Sequence, residues 1–137
     1  AAFLSEDKLK TFFHGHSYTG NPLACAAASA SLDLLQNAMP LINELEKLQH
    51  QYSAQLAQHP NVENLRQIGT VVAFEVKNAA TFNYFNHLRD FLYQNFIARG
   101  VILRPLGNTV YVLPPYVITA QQLEKVYKVI VEVLNLL

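Results

Sequence analysis

The chain has 137 residues, 51% of them hydrophobic, and ten basic against ten acidic side chains give a formal charge of zero. That length supports one core burying roughly 68–70% of the unfolded surface, while charges scattered singly leave no footprint for a nucleic acid or an anionic membrane. No apolar run approaches the ~20 residues that span a bilayer, and no basic-then-apolar leader is visible. With Cys25 as the single cysteine, neither an intrachain disulfide nor a thiolate metal cluster can form, so the composition points to a soluble, cytoplasmic protein.

In chain order, the first predicted helix covers residues 22–37. Asn21 can cap it with its side-chain oxygen, Pro22 suits the first helical position because its missing N–H needs no partner there, and the following alanines cost little side-chain entropy. Pro40 punctuates, and a second helix is predicted beyond it, with Leu41, Leu45, Leu48, Tyr52 and Leu56 on one stripe and Glu44, Glu46, Lys47 and Gln51 elsewhere. His59-Pro60-Asn61 ends that helix. Residues 62–68 and 70–76 then read as two short strands about Gly69, a turn or a bulge, with Val72, Phe74 and Val76 on one face.

A helix over about 80–99 turns Phe82, Phe85, Leu88, Phe91, Leu92 and Phe96 inward, and Gly100 stands where a left-handed cap is commonly glycine. Segments 101–104 and 109–113 are β-rich and flank Pro105-Leu106-Gly107-Asn108, so an antiparallel hairpin is predicted. Thr119 and Gln122 have capping-box spacing ahead of a last helix whose stripe is Leu123, Val126, Tyr127, Ile130, Leu134 and Leu137. The alternation predicts an α+β fold, a short antiparallel sheet covered by helices, rather than a doubly wound sheet.

The segment His14-Gly15-His16-Ser17-Tyr18-Thr19-Gly20-Asn21-Pro22 joins a hydroxyl-bearing turn to a helix start. Such a turn offers backbone N–H groups, a hydroxyl and the positive end of the helix dipole, which together suit a phosphate dianion. Ser17 is the best side-chain donor in it. The plain alternative is an ordinary cap on an Ala-rich core helix. His14 and His16 have alternate spacing, but no carboxylate or third histidine lies nearby in sequence, so no metal is expected.

The run Gly20-Asn21-Pro22-Leu23-Ala24-Cys25-Ala26 resembles a signature of the class III pyridoxal-phosphate aminotransferases, where it follows the lysine-bearing segment of the large domain. Arg104-Pro105-Leu106-Gly107-Asn108-Thr109-Val110-Tyr111-Val112-Leu113-Pro114-Pro115-Tyr116 is similar to the substrate hairpin of the adenosylmethionine-8-amino-7-oxononanoate aminotransferases. The stretch 66–76 also falls where that family places a strand pair. The resemblance covers nearly the whole chain. It implies the small C-terminal domain of a fold-type I transferase with the preceding inter-domain helix: residues 1–38 ending a large domain, and residues 39–137 forming the small one.

The same resemblance implies a carboxyl-terminal portion of a longer polypeptide, one that lacks the Schiff-base lysine and should be inactive alone, so no residue here is assigned a catalytic role. In the family, the turn binds the phosphate of pyridoxal 5'-phosphate across a homodimer. That puts His16, as a backbone donor, and Ser17 on the cofactor and Gly15 beside the substrate; the family usually has threonine where Ser17 stands. The implied reaction moves an amino group from S-adenosylmethionine to 8-amino-7-oxononanoate, giving 7,8-diaminononanoate in biotin biosynthesis. Partners would be small-molecule substrates and a second copy of the enzyme.

Arg104 follows Val101, Ile102 and Leu103, and a guanidinium left unpaired in a buried strand would be costly. Its planar fork can grip a carboxylate through two parallel hydrogen bonds, which matches the implied anchoring of the oxononanoate carboxylate. The alternatives are a salt bridge to Glu63, Glu75 or another internal acid, or reach to solvent. Tyr111 either lines the same pocket or packs across strands. Cys25 reads as a small buried apolar residue rather than a nucleophile, since no base able to activate it lies nearby in sequence. Competing readings of the whole chain are another class III enzyme of ornithine or 4-aminobutyrate type, a non-enzymatic α+β module that binds small acids, and a structural interaction domain.

Overall fold

A computed structural model describes residues 6–10, 19–77 and 87–137. They fall into two compact units, Ala1–Asn37 and Ala38–Leu137. In the first unit, Lys8–Lys10 form a single 3₁₀ turn, closed by Lys10 N–H donating to the Asp7 carbonyl at 3.0 Å. Helix α1 (Pro22–Leu56) begins in this unit and ends in the second. Asn21 caps it as the sequence predicts, its Oδ1 accepting from the N–H groups of Leu23 at 3.0 Å and Ala24 at 3.3 Å.

Pro40 lies inside α1, where the sequence predicts a break. A proline within a helix forfeits its own bond, here to the carbonyl of Gln36, and the strong helix formers Ala38, Met39 and Leu41 continue the helix on either side. Beyond it the predicted stripe is largely present: Leu45 and Leu56 are buried, and Leu48 and Tyr52 pack against the core. Leu41 departs from it at 55% exposure.

The second unit continues with β1 (Val62–Ile68), β2 (Val71–Val76), α2 (His87–Ala98), β3 (Thr109–Val112) and α3 (Ala120–Leu134). The strands form one antiparallel sheet in the order β1-β2-β3, with Gln67 opposite Val72 on one side and Val72 opposite Val112 on the other. Gly69, at φ +52°, turns β1 into β2, a conformation that glycine adopts without steric penalty. The register slips between Glu63 and Arg66, where Asn64 takes a positive φ of 49°, a value that Asn tolerates better than most residues.

Alternation along β2 and β3 sends Val72, Phe74, Val76, Val110 and Val112 into the interior. Phe74, Val76, Val110 and Val112 join Leu92 and Phe96 of α2 and Leu123, Ile130, Val133 and Leu134 of α3 in one cluster. Full burial of each such side chain contributes about 1.5–3 kcal/mol. Phe91, predicted to face inward, is 37% exposed, because Leu88, Leu92 and Phe96 already fill that stripe. Phe82 and Phe85 lie outside the described residues. Gly100 closes α2 at φ +73°, with Val101 N–H donating to Phe96 O at 3.0 Å and Gly100 N–H to Ile97 O at 2.9 Å, the paired bonds of a Schellman cap. At α3 both halves of the Thr119–Gln122 capping box are present.

One predicted element is absent. Residues 101–104 form no strand, and the expected hairpin is reduced to an isolated bridge between Leu106 and Thr109 around Gly107, at φ +62°. Pro105 follows Arg104 directly and cannot donate to a ladder, so β3 pairs with β2 instead. Val101 and Leu103 are nevertheless buried while Ile102 is 81% exposed, a strand-like burial rhythm without strand hydrogen bonds.

Candidate functional site

Of the residues singled out around the first turn, Gly15, His16 and Ser17 lie outside the described residues, as do His14 and Tyr18. The described part begins at Thr19, followed by Gly20 at φ +74°, with no atom of the described residues within 4 Å of the position a Cβ would take. Asn21 already occupies the N–H groups of Leu23 and Ala24. The start of α1 therefore offers an approaching anion its dipole, while the N–H groups of Leu23 and Ala24 are already engaged. Cys25 is a free, exposed thiol rather than a buried apolar residue, because residues 22–36 have no described packing partner.

Arg104 sits in the connection between α2 and β3, held in place by the buried neighbours Leu103 and Pro105. It is exposed, so the desolvation penalty anticipated for a strand-buried guanidinium does not arise. It lines a polar cleft with Arg89, Asp90, Tyr93 and Gln94 of α2 and with Pro105 and Leu106. Among the described residues Arg104 makes no hydrogen bond or ion pair. Glu75, a proposed internal partner, is engaged by Arg66 at 3.2 Å and by Asn64 at 2.9 Å instead. The turn after Arg104 carries one more polar feature: Asn108 Oδ1 is buried without a hydrogen-bond partner among the described residues.

Tyr111 is not brought into that cleft. It stands on the half-buried face of β3, opposite Ala73 of β2, with Val110 and Val112 pointing to the core on either side. Its described surroundings are those of a cross-strand packing residue.

Sequence reasoning missed Arg89, Asp90, Tyr93 and Gln94. The signal was present, since positions i, i+1, i+4 and i+5 share one side of a helix. It also missed a buried polar chain. Tyr127 donates to Gln49 Oε1, Gln49 Nε2 donates to the Thr70 carbonyl at 2.8 Å, and Ser53 Oγ donates to Gln67 Oε1 at 3.2 Å. Gln49 is fully buried and Ser53 nearly so; burial pushes the Tyr127 phenol far above its ordinary value. Tyr52 stacks on Tyr127 with ring centroids 5.0 Å apart. These groups bind α1, α3 and the Gly69 turn together. Among the described residues there is no group of three His, Cys, Asp or Glu side chains able to hold a metal, and no helix long and apolar enough to cross a membrane.

Residues 1–134 match the family described as aminotransferase class III. The chain belongs to that family. It is similar to the adenosylmethionine-8-amino-7-oxononanoate aminotransferase of Synechococcus elongatus, with 41% identity over 97% of this chain and 31% of that protein. The protein of the same name from Geobacter sulfurreducens is 40% identical over 90% of this chain and 29% of its own length. Among solved structures, the enzyme of that name from Methanocaldococcus jannaschii superposes with a TM-score of 0.77 at 28% identity, over 97% of this chain and 32% of that one. The ornithine delta-aminotransferase of Plasmodium falciparum gives 0.71 at 27% identity, over 90% and 31%. The chain thus spans under a third of the length of these relatives, and its α+β architecture is the one they carry in that portion.

Proposed function

We propose that this chain serves as the carboxyl-terminal part of an aminotransferase that moves an amino group from S-adenosylmethionine to 8-amino-7-oxononanoate. In this reading residues 1–38 end a large domain and supply the inter-domain helix, and residues 39–137 are the small domain. The enzyme is a cytoplasmic homodimer in biotin biosynthesis. The observation that carries the reading is likeness to several proteins of that one name, one of them 41% identical across 97% of the chain. Ornithine-type enzymes share the fold at lower identity, which makes that the second reading.

Pyridoxal phosphate, when bound, carries the amino group between donor and acceptor. The start of α1 fits such a group in polarity, and no described residue crowds Gly20; Ser17 and the backbone of His16 are the proposed donors to its phosphate, with Gly15 beside the substrate. No proton transfer is assigned to this chain. Its contribution is orientation: Arg104 grips the distal carboxylate of the acceptor through a bidentate, charge-assisted pair and holds the reacting carbonyl in place. Tyr111 stays a weaker candidate for the substrate wall.

Steady-state kinetics of the complete enzyme with Arg104→Ala provide the test. Loss of a charge-assisted bond of about 1.5–3 kcal/mol should raise KM for the oxononanoate by roughly ten- to a hundredfold. The half-reaction with the amino donor should keep its rate. An unchanged KM for the acceptor removes Arg104 from this role.

A further inference from the structure

Arg104 shares its cleft with a second guanidinium. Arg89 of α2 lines the same space, and its Nη1 donates to Asp90 Oδ1 at 2.7 Å. The described lining therefore holds two guanidinium groups and one carboxylate, a net charge of one positive, with Tyr93 and Gln94 adding neutral polar groups. The two cations differ in their surroundings. Arg89 has a carboxylate against it, whereas Arg104 has no described partner.

We propose that Asp90 sets the charge selectivity of this cleft, neutralising Arg89 so that a single positive charge is left for the incoming head group. A monoanionic carboxylate then satisfies the site, while a dianion brings a second charge that finds no cation and loses more hydration on entry. The inference rests on the reading of Arg104 as the carboxylate grip and deepens it, since it defines the class of acid admitted. Asp90 has 67% of its side chain exposed and Arg89 has 36%. Solvent and salt screen charges at such positions, so the discrimination is several-fold rather than by orders of magnitude.

Competitive inhibition of the complete enzyme by octanoate and by octylphosphonate separates the possibilities. The two are straight-chain acids whose tails differ by a single methylene, and they differ in head-group charge above the second ionisation of the phosphonate. With Asp90→Asn, octylphosphonate should tighten about fivefold relative to octanoate, and adding Arg89→Gln to that variant should return the ratio to its starting value. A ratio unmoved by Asp90→Asn, in an enzyme where Arg104→Ala still weakens octanoate, overturns the role of Asp90 and leaves Arg104 as assigned. If Arg104→Ala leaves octanoate inhibition unchanged, or neither compound inhibits, the reading of Arg104 fails and this inference with it.

Discussion

Residues 22–36 of α1 are all exposed, with Leu23 at 82%, Leu32 at 59% and Leu34 at 71%, whereas residues 45–56 of the same helix bury Leu45, Gln49, Ser53 and Leu56. Both stretches contain leucine, so the presence of large apolar side chains does not separate them. Spacing does. In the later stretch the buried positions recur every three or four residues and meet one cluster, while in the earlier one alanine dominates and the leucines lie on different sides. High intrinsic propensity makes the first stretch helical, and an apolar stripe makes the second part of a core.

Phe74→Ala probes the packed region, since that ring is fully buried. A loss of about 3–5 kcal/mol is expected in urea unfolding. Leu34→Ala, in the exposed stretch, should stay within about 0.5 kcal/mol. Equal losses at the two positions would break the comparison, because they would mean that Leu34 packs as tightly as Phe74.

The polar chain sharpens the same contrast. Tyr127→Phe removes the donor to Gln49 Oε1 and leaves a buried oxygen unsatisfied, which should cost about 1–3 kcal/mol. Adding Gln49→Leu should recover part of that loss, since the remaining orphan is then only the Thr70 carbonyl it served. A double variant whose loss is the plain sum of the single ones would show that the chain does not act as a unit.

Much of the fold was legible because local signals and packing agree. The alternation in β2, the Thr119–Gln122 box and Gly100 each name a conformation that the surroundings also favour. The 101–104 segment was misread for a physical reason: its alternating burial is what a strand would show, and only the ladder, which Pro105 interrupts, distinguishes the two. Pro40 misled in the opposite sense, as a punctuation mark the helix absorbs. At the candidate site, the apolar neighbours of Arg104 suggested a burial that it does not have, and the resemblance alone singled it out; Arg89 and Asp90 gave no signal of their own, because charged residues on a helix ordinarily face solvent. Gln49 was hidden by being polar on an apolar stripe.

Gly69 gives a smaller test. Its φ of +52° is left-handed, and no atom of the described residues lies within 4 Å of a Cβ placed there. Gly69→Ala therefore meets strain alone, at about 1–2 kcal/mol. Gly69→Asn should lose less, because Asn visits that region more readily. A neutral alanine variant would mean that the turn relaxes, and with it the carbonyl of Thr70 that Gln49 holds.

The smallest effect concerns pH. Burial raises the Tyr127 phenol above its ordinary value, which is near 10 for a free tyrosine. Above that value the unfolded chain loses the proton while the folded chain keeps it, so the unfolded state is favoured as pH rises. The associated stability is complete below about pH 10 and declines beyond it, by about 0.8 kcal/mol half a unit above the free phenol's value. Lys128, raised by its hydrogen bond to Glu124, changes in the same direction. It is retained when Tyr127 is replaced, so the difference between the wild-type chain and Tyr127→Phe isolates the phenol. Melting temperatures of the two proteins should converge as pH rises past 10; parallel curves would mean that Tyr127 is solvated and that the buried chain around Gln49 is open to water.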